Sequence, residues 1–77
     1  MTTLVDLQPG QAGTIDRVDV SDPTVVRLMV LGMVEGTTLK RGDTALGGDP
    51  IEFQLPDCTV SLRREQARKI TVETATA

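Results

Sequence analysis

The stretch 23–36, PTVVRLMVLGMVEG, sets the tightest limit on what this chain can become. Pro23 suits the first position of a helix, where no backbone donor is needed, and Ser21 or Asp22 can cap the free N–H groups beside it. Gly32 follows five apolar residues out of six and can take the left-handed conformation that closes a helix. The helix is therefore held to about 23–31, a length that does not persist alone and must dock an apolar face. At about 100° per residue that face is Val25, Leu28 and Met29, with Met33 folding back onto Leu28 past the glycine.

Apart from one or two helical turns at 64–69, the rest of the chain reads as strands and turns. Gln8-Pro9-Gly10-Gln11 is a turn signal, and 14–20 alternates with the period of a half-buried strand. Ile15 and Val18 cannot share a face in a regular strand, so a bulge or a change of buried face is expected near Arg17. Glu35-Gly36 forms the centre of a turn with glycine at the position needing positive φ, and 37–41 is strand-like. Gly47, Gly48, Asp49 and Pro50 make a second punctuation. After it Ile51, Phe53 and Leu55 point inward, Pro56-Asp57 turns the chain, and 58–62 returns as the hairpin partner with Cys58, Val60 and Leu62 on one face. A last strand is expected at 70–73 and a loose end at 74–77. This pattern is mainly β: a small, strongly bent barrel of about five strands, with a short helix inserted after the first long strand and a helical turn before the last.

Composition narrows the function classes. The 77 residues make one domain, 1–77, with its core at about 4–73. Phe53 is the sole aromatic residue, so the core is built from Val, Leu, Ile and Met. A net charge of -3 argues against nucleic acid or an anionic membrane surface as partner. Cys58 stands alone, which excludes an internal disulfide. The first ten residues do not resemble a signal peptide, and no stretch approaches the roughly 20 apolar residues of a membrane span, so residence in the cytoplasm is expected.

Catalysis has little to work with, because there is no histidine and Cys58 has no base partner. An enzyme is not expected, nor is a cofactor. Asp16, Asp19 and Asp22 recur every third residue, yet the first two point to opposite faces of a regular strand, which opposes a shared metal site. The glycines at 47 and 48 lack the Lys and Ser/Thr of a phosphate-binding loop. Two contact surfaces stand out instead. Arg63, Arg64 and Arg68, with Lys69, concentrate half of all basic residues in seven positions and suit an acidic protein surface. Val26 and Val30, with Met33, lie at the flank of the short helix and suit a protein partner or self-association.

The ordered series Arg27-Leu28, Leu31-Gly32-Met33, Gly36, Gly48-Asp49-Pro50-Ile51 and Leu62-Arg63, spread from about residue 4 to 73, resembles the FeoA family of ferrous-iron transport proteins. The departure is Leu46-Gly47, where such sequences usually carry Pro-Leu. The resemblance implies an SH3-like barrel, and a small accessory protein that binds and modulates FeoB, a membrane transporter with a cytosolic GTP-binding domain. It also implies that iron is the cargo of that partner, and that transition-metal binding recurs within the family. A second implication is likeness to the SH3-like domain of metal-dependent transcriptional repressors. On the residues alone, Gly32, Gly36, Gly48, Asp49 and Pro50 are structural turns.

Overall fold

The computed structural model describes residues 2–74. Five strands, β1 (Ala12–Val18), β2 (Thr38–Thr44), β3 (Ile51–Gln54), β4 (Thr59–Leu62) and β5 (Ile70–Thr74), form one antiparallel sheet in the order β4-β3-β2-β1-β5. Two short helices, α1 (Pro23–Met29) and α2 (Arg64–Ala67), interrupt it after β1 and before β5. This is the expected architecture. Closure is the difference: among the described residues the edge strands β4 and β5 do not pair with each other. The tail expected at 74–77 begins inside β5 at Thr74, and its remaining residues lie outside the described ones.

The inner face is aliphatic around one ring. Ile51, Phe53 and Leu55 from the β3 side meet Val60 and Leu62 of β4, Ile15 and Val18 of β1, and Ile70 and Val72 of β5, all buried. The bulge expected near Arg17 is present: the β1–β5 register shifts between Ile15 and Arg17, so Ile15 and Val18 both enter the core. Sequence periodicity also gives the turns. Pro9 and Gly10 sit at the centre of a turn closed by Gln11 N–H to the Gln8 carbonyl at 2.9 Å, with Gly10 at φ 82°. Thr37 N–H likewise donates to the Val34 carbonyl at 3.1 Å around Gly36 at φ 89°.

The N-terminal segment is ordered in a way periodicity does not signal. Residues Leu4–Asp6 make a 3-10 turn in which the Asp6 carboxylate accepts the Thr3 N–H at 2.9 Å, while Leu4 and Leu7 are wholly buried. Val72 N–H donates to the Thr2 carbonyl, and Thr3 bridges to Thr71, so the start of the chain covers an edge that would otherwise present free backbone groups. Arg41 fastens this segment. It is the one buried charged side chain among the described residues, and its guanidinium donates to the Leu7 carbonyl and, at 2.8 Å, to Thr44 Oγ1.

Candidate functional site

Helix α1 is positioned at both ends. Asp22 caps it, one carboxylate oxygen accepting the Thr24 N–H at 2.8 Å while the other meets the Lys69 ammonium. The Lys69 hydrogen bond is the main reason the Asp22 carboxyl is held below its ordinary 3.8, and the same bond raises Lys69 above 10.5. At the other end Gly32, at φ 107°, closes the helix: Gly32 N–H donates to the Met29 carbonyl at 3.1 Å and Met33 N–H to the Leu28 carbonyl at 3.2 Å. These paired bonds satisfy carbonyls that a helix end leaves free. The regular helix stops at Met29 rather than 31, because Val30 and Leu31 bond back three residues, to Arg27 and Leu28.

Docking of this helix divides its side chains as the spacing predicts. Val25 is buried, and Leu28 and Met29 pack half-buried against the core. The opposite flank is apolar and open. Val26 is 40% exposed, Leu31 50% and Val30 88%. Met33, expected on that flank, is fully buried, because the bond to Leu28 turns it back under the helix. Leu31 takes its place on the surface, and no helical count shows this, since Leu31 lies beyond the last regular turn. Cys58 is corrected as well: it is exposed, just before β4 begins, with its thiol directed to the Leu31 carbonyl at 3.4 Å.

The basic cluster separates into two groups. Arg64 is half-buried and committed within the chain, its Nε donating to the Gly48 carbonyl at 2.5 Å and its backbone N–H to the Asp49 carboxylate at 2.9 Å. Arg63 lies 3.8 Å from the other Asp49 oxygen. The loop Gly48, Asp49 and Pro50, with a cis bond before the proline, is thus held by the start of α2, and Arg64 is withdrawn from a free contact surface. Arg68 is exposed and faces elsewhere, beside Arg17 and Lys69. Among the described residues no group of three or more His, Cys, Asp or Glu side chains is placed to hold a metal ion, and Asp19 bonds instead to the Ser21 hydroxyl at 2.6 Å, the first cause of its lowered pKa.

The FeoA domain model matches residues 2–74, nearly the whole chain. The chain belongs to the FeoA family. A Porphyromonas gingivalis protein, the Fe(2+) transport protein A/Fe(2+) transporter FeoB fusion protein, is 37% identical over 70 residues; the match covers 91% of this chain and 8% of that curated relative. The solution structure of FeoA from Chlorobium tepidum superposes with a TM-score of 0.88 at 36% identity, covering 97% of this chain and 71% of the other. A crystal structure of Stenotrophomonas maltophilia FeoA complexed with zinc, described as a prokaryotic SH3 domain protein, gives 0.83 at 25% identity, covering 95% and 91%. The SH3-like fold of this FeoA domain is thereby established. A manganese-dependent transcriptional repressor also superposes, at 0.82 over 95% of this chain and 36% of its own, and at 23% identity that likeness concerns the fold alone. No helix among the described residues is long and apolar enough to cross a membrane.

Proposed function

We propose that this FeoA domain is a non-catalytic, cytoplasmic accessory of ferrous-iron uptake that docks on a FeoB-type transporter, at its cytosolic GTP-binding part, and modulates it. The observation that carries the reading is the fusion relative, in which transport protein A and FeoB are named together in one polypeptide. Two partners that work on each other gain from such linkage, because tethering raises their effective concentration. The exposed flank of α1, Val26, Val30 and Leu31, supplies a surface of suitable chemistry, three apolar side chains broken by the single charge of Arg27. Arg63, exposed beside Asp49, remains a candidate contact apart from that flank.

The test is binding of the purified chain to the cytosolic region of a FeoB transporter from the same cell, followed by calorimetry. Val26→Asp with Val30→Asp is expected to leave the melting curve intact and to weaken binding by at least about tenfold. Unchanged affinity removes the helix flank from the interface, and no binding by the parent chain removes the transporter reading. Self-association through the same flank is the competing use, and sedimentation of the parent against the double variant separates it. The repressor reading has only the shared fold behind it.

A further inference from the structure

We infer that the groove between the end of β1 and the α2–β5 connection binds an acidic, partly apolar peptide segment, held by Arg17 and Arg68. The groove encloses about 480 Å³ and is open to solvent. Its two walls come from different parts of the chain. Arg17 and Val20 stand on one, and Arg68 and Thr71 on the other, with buried Val18 between them.

The bulge in β1 is what brings Arg17 there. In a regular strand Arg17 would share the inward face of Ile15; with the register shift Val18 goes inward and both Asp16 and Arg17 are exposed. Arg17 also sits directly across from Thr71, on the strand that follows Arg68. Charge is distributed unevenly among the lining groups. Asp19 keeps its negative charge, one carboxylate oxygen accepting the Ser21 N–H and hydroxyl, and the Lys69 ammonium pairs with Asp22, so the two arginines outnumber the single carboxylate of the lining. Arg17 and Arg68 have no ion pair and no side-chain hydrogen bond among the described residues, in contrast to Arg41 and Arg64. Two free guanidinium groups therefore face one groove in a chain whose net charge is -3.

Guanidinium forks match carboxylates in plane and spacing, so an acidic group is the complementary ligand. Val20, 65% exposed at the rim, favours a peptide over a small free anion, because a lone phosphate or carboxylate would leave that apolar surface in water. The rest of the surface, net acidic, repels such a segment and steers it to the groove. The proposal stands apart from the transporter reading and does not use the α1 flank.

Titrating the ¹⁵N-labelled 77-residue chain with an amidated peptide of alternating glutamate and leucine tests it. Saturable shifts are expected at Arg17, Val20, Arg68 and Thr71, weakened by high salt and by at least about tenfold in Arg17→Gln with Arg68→Gln. Both side chains are exposed, and an unchanged melting curve for the variant certifies its fold. A peptide with glutamine in place of glutamate, and inorganic phosphate, serve as the other arms. Equal shifts from the glutamine peptide, equal affinity for phosphate, shifts scattered over the surface, or an unweakened double variant would each overturn the assignment.

Discussion

Arg64 closes over Gly48: its Nε lies 2.5 Å from the Gly48 carbonyl oxygen, and a Cβ placed on Gly48 would fall 3.3 Å from its Nη2. The glycine is required there by a φ of 85° that other residues avoid, and an added Cβ would also press on the end of the guanidinium. Gly48→Ala is expected to cost about 1–2 kcal/mol from the backbone alone. Asp49→Ala, which removes the acceptor for the Arg64 N–H at the start of α2, is expected to cost about 0.5–2 kcal/mol. Urea unfolding measures both. Since the two changes act on one clamp, the double variant should lose less than the summed costs, and strict additivity would show that the loop and α2 are energetically separate.

The glycines at 32 and 36 form a matched pair for testing what a helix stop is worth. Both have positive φ, 107° and 89°, but a Cβ on Gly32 meets Leu55 Cδ2 at 3.3 Å while one on Gly36 meets nothing within 4 Å. Gly36→Ala should cost about 1–2 kcal/mol, and Gly32→Ala should cost more, because the Leu55 side chain must also give way. Equal losses in urea unfolding would mean that Leu55 moves aside freely. Met33→Ala, at a fully buried site, should cost about 2–5 kcal/mol, a loss inconsistent with a surface position.

Most of the sheet is legible from period-two alternation and turn residues, because each of these is a local property of the chain. Ile51, Phe53 and Leu55 face inward as their spacing requires, and Gly32 closes α1 as an apolar run followed by glycine suggests. Two differences are local: Leu31 takes the surface place that the flank reading gave to Met33, whose return onto Leu28 the sequence also suggests, and Cys58 falls outside the Val60 and Leu62 face because β4 begins one residue later. The third is long-range. Arg64 reads as a surface cation beside Arg63 and Arg68, and only the approach of a loop fifteen residues earlier in the chain commits it. The sum of charges along a sequence counts cations; it does not say which of them are already paired.

Arg41 carries a buried positive charge with no ion pair among the described residues, and it reaches back 34 residues to the Leu7 carbonyl while also holding Thr44. Arg41→Lys keeps the charge but reaches with a single ammonium where the guanidinium reaches two acceptors with separate nitrogens. One buried acceptor is then left unsatisfied, at a cost of about 1–3 kcal/mol. Hydrogen exchange should localise the effect, with the amides of Leu7 and Val72 losing protection more than those of β3. Uniform loss of protection over the sheet would show that the N-terminal segment does not open on its own.

The Asp22–Lys69 pair joins the cap of α1 to the residue before β5, and its pH dependence has a definite sign. Asp22 is held below 3.8 chiefly by the Lys69 hydrogen bond, so its contribution is complete above that value and is lost as pH falls through the lower folded value. Lys69 is raised above 10.5 by the same bond, so its contribution is complete below 10.5 and is lost as pH rises through the higher folded value. Asn is as good a helix cap as Asp, which makes Asp22→Asn a change to the ion pair that keeps the bond to the Thr24 N–H. The melting temperature of Asp22→Asn should therefore fall below that of the parent by a constant gap at intermediate pH. That gap should narrow below about pH 4 and again above about pH 10.5. Asp19, whose lowered pKa comes first from the Ser21 hydroxyl, is also raised by the neighbouring Asp22 charge, so it titrates differently in the two proteins and adds a smaller part to the acid limb. A gap that stays constant through the acid limb would mean that Lys69 does not pair with Asp22 in solution.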